Sequence, residues 1–128
     1  MSSPTEIEAI REHVCLYKNN IILWREVPVM SPFQVELFQQ KLELLAQQFP
    51  SFDLLIDLTG AQHPPDAEIR AQLRMIFKSQ RNLHAVAVFT GRNFMLNVAA
   101  RFVLGAVGVA FSVHSTKEEA LRALQYAA

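Results

Sequence analysis

Two acids, a hydroxyl and an imidazole follow one apolar run of the chain and are the residues best suited to chemistry: Asp57, Thr59, His63 and Asp66. An acid and an imidazole near a strand end can transfer protons. The same side chains also have structural uses, because Asp57 and Thr59 can bond loop amides and Asp66 suits the positive end of a helix. No nucleophile or second base accompanies them, so we favour the structural interpretation and expect a protein that is not an enzyme.

Metal and cofactor chemistry has little support in the sequence. The histidines are scattered and the cysteine is single, with no pair at the spacing of a zinc site: His13, His63, His84, His114 and Cys15. We therefore predict no metal and no cofactor. A lone cysteine cannot form an intramolecular disulfide, and the first residues lack a basic start followed by an apolar core, so a cytoplasmic location is expected.

The composition is typical of one compact domain, with 128 residues of which 51% are hydrophobic and 19% charged. Lys and Arg number 12 and so do Asp and Glu, and without a basic excess no nucleic-acid partner is expected. A net charge near zero also eases assembly into a homo-oligomer. The most apolar stretch, residues 94–109, is interrupted by Asn97 and Arg101 and is shorter than the ~20 residues of a bilayer span. No integral membrane association is therefore expected.

The polar residues follow a run at residues 52–58, bounded by Pro50 and Gly60, that predicts a strand buried on both faces. In an open α/β sheet, ligands and partners meet the chain beyond the carboxyl ends of such strands. Before this run, residues 13–17 and 21–27 predict a β-hairpin. After it, helical and strand patterns alternate, which gives the order β-β-α-β-α-β-α-β-α.

The predicted fold class is therefore α/β, a single domain over residues 1–128 with a loose lead-in over residues 1–11. It has a mixed, mostly parallel five-stranded sheet, an N-terminal hairpin and four helices. Capping boxes mark the first and last helix, at Ser31 with Gln34 and at Thr116 with Glu119. The other two helices are predicted at residues 65–80 and from residue 94 to about 108.

Four cations recur at helical spacing on the second predicted helix: Arg70, Arg74, Lys78 and Arg81. Like charges at this spacing repel by a few tenths of a kcal/mol per pair, and no acid answers them on that helix face. Two interpretations stay open. Acids of another element pair with the cations, or the cations form a docking face for an acidic protein partner.

The third predicted helix is apolar around most of its circumference. One apolar stripe is enough to pack a helix on a sheet, so the surplus among Met95, Leu96, Phe102 and Val103 is expected to contact something further. Packing on another helix, on a second subunit or on a partner all remain open. A membrane-surface role is disfavoured, because the polar stripe carries one cation where such helices carry many.

Three local patterns accompany this element order. They are the run Phe52-Asp53-Leu54-Leu55-Ile56-Asp57-Leu58-Thr59-Gly60, the strand Leu83-His84-Ala85-Val86-Ala87-Val88-Phe89 before an apolar helix, and a closing strand with Thr116 and Glu118-Glu119-Ala120-Leu121. Together they resemble the STAS superfamily, in particular its SpoIIAA-like branch, which includes the bacterial anti-sigma-factor antagonists. The resemblance covers the chain from about residue 13 to its end.

This resemblance implies a non-catalytic regulatory protein that acts in signalling through protein–protein contacts. In the antagonists, a serine after the central strand is phosphorylated within an Asp-Ser-Ser-Gly motif. No Ser or Thr lies between Gly60 and Ser79 here, so we expect no such phosphoserine switch. The predicted partner surface combines the loop residues Thr59, His63 and Asp66 with the four cations and the apolar third helix. The alternative is a small-ligand or lipid-binding module with an apolar pocket under that helix.

Overall fold

The computed structural model describes residues 3–126 of the chain. Its elements are α1 (Pro4–Arg11), β1 (Val14–Lys18), β2 (Ile21–Arg25), α2 (Pro32–Ala46), β3 (Phe52–Asp57), α3 (Ala67–Lys78), β4 (Leu83–Phe89), α4 (Phe94–Gly105), β5 (Ala110–His114) and α5 (Lys117–Tyr126). The strands form one sheet in the order β1-β2-β3-β4-β5, in which β1 is antiparallel to β2 and all other neighbours are parallel. The predicted α/β class, the mostly parallel five-stranded sheet and the N-terminal hairpin are confirmed.

The predicted number of four helices is wrong, because residues 4–11 form a fifth helix, α1, where a loose lead-in was expected. Ser3 caps this helix, since its Oγ accepts a hydrogen bond from the Glu6 amide at 3.2 Å. Ile10 packs against the main core, and Arg11 Nη2 donates to Gln40 Oε1 of α2 at 2.9 Å. The segment is therefore docked on α2.

Strand β3 is the middle strand of the sheet and is buried on both faces, as its apolar run predicts. Successive side chains of a strand point to opposite faces. Leu54 and Ile56 accordingly lie in the larger core, which α2, α3 and α4 cover, whereas Leu55 lies in a smaller core beneath α5. Because β2, β3 and β4 are parallel, their carboxyl ends meet at one edge of the sheet.

The local signals of the sequence act as expected at the helix starts and in the hairpin. Ser31 Oγ accepts from the Gln34 amide at 3.2 Å, and Gln34 Oε1 accepts from the Ser31 amide at 3.0 Å. Thr116 Oγ1 accepts from the Glu119 amide at 3.3 Å. Asn19 takes a positive φ of 52° in the hairpin turn, a conformation that asparagine tolerates. Of the helices within residues 3–126, none has both the length and the apolar character needed to cross a bilayer.

Candidate functional site

The polar residues after β3 are each engaged locally. Asp57 Oδ1 accepts hydrogen bonds from the Thr59 amide at 2.8 Å and from the Thr59 hydroxyl at 2.6 Å. Asp66 caps α3, because its Oδ1 accepts from the Ile69 amide at 3.0 Å. The structure thus joins Asp57 to Thr59, but no hydrogen bond among the described residues links that pair to His63 or Asp66. These side chains shape the loop and the helix start, as the structural interpretation predicts.

All four scattered histidines have local partners, and that of His63 is the Pro64 carbonyl oxygen, 3.3 Å from its Nδ1. His84 Nδ1 lies 3.0 Å from Asp53 Oδ1, and His114 Nε2 lies 2.7 Å from Ser112 Oγ. His13 Nδ1 lies 3.0 Å from the Arg25 carbonyl oxygen. In the part of the chain that the structure describes, no three His, Cys, Asp or Glu side chains are grouped as metal ligands would be.

A cavity of about 210 Å³ lies at the carboxyl edge of β2, β3 and β4, between the sheet and helices α3 and α4. Its walls are apolar: the sheet contributes Trp24 and Ile56, α3 contributes Phe77, and α4 contributes Leu96 and Val103, among others. The exposed residues at its border, Pro28, Val29, His63 and Asp66, come from the segments that follow β2 and β3. The cavity therefore occupies the edge at which α/β sheets generally bind ligands.

Glu26 is the carboxyl group within this apolar cavity, and sequence reasoning missed it. It follows β2 directly, two residues after Trp24, whose Nε1 donates a hydrogen bond to Glu26 Oε1 at 2.8 Å. Burial raises the pKa of the Glu26 carboxyl to about 7, although the Trp24 hydrogen bond acts in the lowering direction. The available signal was the i, i+2 spacing, which places Glu26 on the same sheet face as the buried Trp24.

Gly60 allows the loop after β3 to pass the end of β2. A Cβ atom at this position would lie 2.9 Å from the Glu26 carbonyl oxygen, which belongs to the backbone and cannot turn aside. We expect Gly60→Ala to lower the free energy of unfolding by about 1–3 kcal/mol, because the loop must shift. Urea denaturation measures the change.

Gly105→Ala is the matched control for Gly60→Ala. A Cβ atom there meets nothing within 4 Å, and Gly105 is the last residue of α4. This control is expected to leave stability unchanged or to raise it by up to about 1 kcal/mol, because alanine favours the helix. An equal effect of both substitutions would contradict a specific close approach at Gly60.

The cations of α3 face the exposed aromatic ring of α4. The guanidinium carbons of Arg70 and Arg74 lie 5.7 and 5.6 Å from the centroid of the Phe102 ring, within cation–π distance. Among the Lys and Arg side chains of residues 3–126, Arg11 forms a salt bridge, with Glu8, and no carboxylate pairs with an α3 cation there. Both basic residues thus contact a neighbouring helix through a ring rather than an acid.

The other two predicted cations lie further from this contact. Lys78 is exposed in the last turn of α3. The predicted helix reached residue 80, but α3 ends at Lys78, so Arg81 lies exposed in the turn before β4. Arg70 is fixed in addition by a hydrogen bond from its Nη1 to the Pro65 carbonyl oxygen at 2.9 Å.

The predicted apolar set on α4 separates into two halves. Met95 and Phe102 are both 62% exposed, whereas Leu96 and Val103 are buried, with 2% and 5% exposure, and Val103 lies in the larger core. Phe94 and Val98 are also exposed on the outer side of α4, although the predicted set did not include them. We call the combined patch the α3–α4 surface, defined by Arg70, Arg74, Phe94, Met95, Val98 and Phe102.

Comparison with known proteins shows no family for this chain, so its function is argued from the contacts described above. No protein-family model matches the chain, and no curated protein or solved structure matches it either. The STAS resemblance stays a prediction.

Proposed function

We propose that this protein is a non-catalytic, STAS-like regulatory module that binds an acidic segment of a partner protein through its α3–α4 surface. The observation that carries this proposal is the placement of Arg70 and Arg74 against the exposed Phe102 ring, with no carboxylate paired to them in the described residues. Such a surface offers charge and apolar area together.

The composition of the α3–α4 surface suits a protein partner. Arg, Phe and Met are enriched at protein interfaces, and Arg and aromatic residues are frequent among the residues that dominate binding energy. A guanidinium group stacked on a ring is ordered before the partner arrives, which reduces the entropy lost on binding. A partner carboxylate would also relieve the repulsion between Arg70 and Arg74, which lie one helical turn apart.

A second copy of the chain is a poorer occupant than an acidic partner. An isologous dimer brings the same patch of both subunits together around one axis. Arg70 and Arg74 would then approach their own copies, with no acid of the α3–α4 surface to answer them. The charge of the surface therefore favours a heterologous acidic segment.

The loop after β3 supports a regulatory role without a phosphoserine. Residues 61–78 contain no hydroxyl side chain. The nearest hydroxyl, that of Thr59, already donates to Asp57 Oδ1 at 2.6 Å. We propose that the loop acts as a rigid border of the binding region, with His63 and Asp66 beside the start of α3.

Reversal of charge on the α3–α4 surface tests the proposal. We expect Arg70→Glu combined with Arg74→Glu to weaken partner binding at least about tenfold, as loss of a central charged contact does. Both side chains are half-buried against Phe102, and Arg70 also donates to the Pro65 carbonyl oxygen, so stability should fall by about 1–2 kcal/mol while the variant stays folded. The measurement is quantitative pull-down with the immobilised protein, followed by calorimetric titration of the purified partner.

The controls distinguish binding through the α3–α4 surface from nonspecific electrostatic and hydrophobic binding. The charge control for Arg74→Glu alone is Arg122→Glu, at an exposed cation on α5 across the sheet. The apolar control for Phe102→Ala is Leu44→Ala, at a residue of α2 that is 58% exposed. Only the α3–α4 variants are expected to lose the partner. Equal retention of the partner by the double variant contradicts the proposal, and charge-dependent binding to anionic vesicles without a protein partner would assign the surface to a membrane instead.

A further inference from the structure

The cavity beneath α4 has no part in partner binding through the α3–α4 surface, yet it has the features of a binding site. It is concave, apolar and formed by segments far apart in the sequence, and it meets solvent at the carboxyl edge of the sheet. One carboxyl group, that of Glu26, lies within it.

The size of the cavity limits the ligand to a small molecule. An engineered protein cavity of about 150 Å³ accommodates benzene. The cavity here measures about 210 Å³, so it has room for one ring and a short substituent. A lipid acyl chain with its head group is too large for this volume.

The polar groups of the cavity select the chemistry of that substituent. Glu26 Oε1 accepts from Trp24 Nε1, and no described residue donates to Oε2. Oε2 keeps some accessible surface, and Glu26 is part of the cavity lining. The other titratable side chains of the lining are His63 and Asp66, both exposed at the border. Two carboxyl groups oppose an anion and favour a cation.

We propose that this cavity binds a small primary amine with an apolar body of about one aromatic ring, its ammonium group bonded to Glu26 Oε2 and its ring held between the sheet and α4. An ammonium group that donates to a carboxylate forms one of the stronger hydrogen bonds in proteins. The apolar walls supply the remaining affinity through burial of the ring. No bond is made or broken in this interaction.

The protonation of Glu26 makes amine binding dependent on pH. Burial raises the pKa of the Glu26 carboxyl to about 7, and the ammonium group requires the ionised form. The affinity for an amine is therefore expected to rise about tenfold between about pH 6 and about pH 8. A neutral ligand of the same shape has no such requirement.

Three isosteric or near-isosteric probes test the site: phenethylamine, 2-phenylethanol and phenylacetate. The protein has one tryptophan, Trp24, which lines the cavity, so its fluorescence and isothermal titration calorimetry both report binding. At about pH 8 we expect phenethylamine to bind at least about tenfold more tightly than 2-phenylethanol, and phenylacetate to bind least. Glu26→Gln should remove the preference for the amine and leave the binding of 2-phenylethanol nearly unchanged.

A second variant keeps the proposal testable if Glu26→Gln does not fold. Ala100→Leu adds volume inside the cavity while it preserves Glu26, and it should weaken phenethylamine and 2-phenylethanol alike. Arg122→Glu, at an exposed cation on α5 across the sheet, should leave both affinities unchanged. Absence of phenethylamine binding at millimolar concentration, or equal amine binding by Glu26→Gln, would overturn the proposal.

Discussion

Replacement of Trp24 by alanine is expected to lower the free energy of unfolding by about 3–5 kcal/mol. Trp24 has no solvent exposure. Its ring meets Phe38 of α2 edge-on at a centroid distance of 5.0 Å and Phe77 of α3 at 5.2 Å. Such edge-to-face pairs add to the energy of burial, so one side chain of β2 fixes two helices to the sheet.

This loss would be a large fraction of the free energy of unfolding, because domains of this size are stable by about 5–15 kcal/mol. Truncation also removes the Nε1 donor of Glu26 and enlarges the cavity that Trp24 lines. Neighbouring helices relax only partly around such a void. The measurement is urea denaturation followed by circular dichroism, because the variant lacks the fluorescent residue.

Two further variants separate the contributions at this position. Trp24→Phe keeps a ring but loses the hydrogen bond to Glu26, so it should cost distinctly less than Trp24→Ala. Phe33→Ala, at an aromatic residue that is 48% exposed at the start of α2, should change stability by no more than about 0.5 kcal/mol. A loss below about 1.5 kcal/mol for Trp24→Ala would show that Trp24 does not hold the helices in place.

The sequence predicted those parts of the fold that depend on local patterns. The period of the apolar residues and the capping residues located β1 to β5 and the four longer helices, and Asn19 marked the hairpin turn. Helix α1 was not predicted because its apolar residues, Ile7 and Ile10, form too short a stripe to indicate burial. Its signal was instead the cap at Ser3 with a following proline.

The candidate site was predicted only in pieces, because it depends on which elements become neighbours. The cations of α3 and the apolar surplus of α4 were both recognised, but the contact of Arg70 and Arg74 with Phe102 requires the two helices to pack side by side. When a helix is apolar around nearly its whole circumference, its sequence does not indicate which side faces the core. Leu96 therefore entered the predicted surface although it lies in the core.

Glu26 was missed for a related reason. Its spacing from Trp24 indicates the sheet face on which Glu26 lies, but its burial depends on walls contributed by α3 and α4 much later in the chain. The same dependence applies to Gly60, whose role requires the Glu26 carbonyl oxygen across the sheet edge. Tertiary proximity, rather than residue type, defines this part of the molecule.

Removal of the Glu26 charge is expected to stabilise the protein at high pH and not at low pH. In the folded state burial holds the pKa of Glu26 at about 7, above the usual value of 4.5 that applies to the unfolded chain. The folded state therefore binds the proton more tightly. This favours folding fully below about pH 4.5, and the contribution is lost as the pH rises through about 7.

The size of this effect follows from the distance between the two pKa values. Each pH unit between them corresponds to about 1.4 kcal/mol, which sets an upper limit of about 3.5 kcal/mol. Glu26 is partly exposed, and solvent screening reduces the expected change to about 2 kcal/mol. Glu26→Gln removes the titration while its amide oxygen can still accept the Trp24 hydrogen bond.

The test compares urea unfolding of the natural protein and Glu26→Gln at several pH values from about 5 to about 8. The stability of the variant relative to the natural protein should rise by about 2 kcal/mol over this range, because only the natural protein must bury a charge at high pH. Glu36→Gln, at an exposed carboxyl of α2, makes the same substitution on the surface and is the matched control. A constant difference for Glu26→Gln would mean that Glu26 stays hydrated in the folded protein. The cavity would then offer an amine a solvated carboxylate, and amine affinity would lose its dependence on pH.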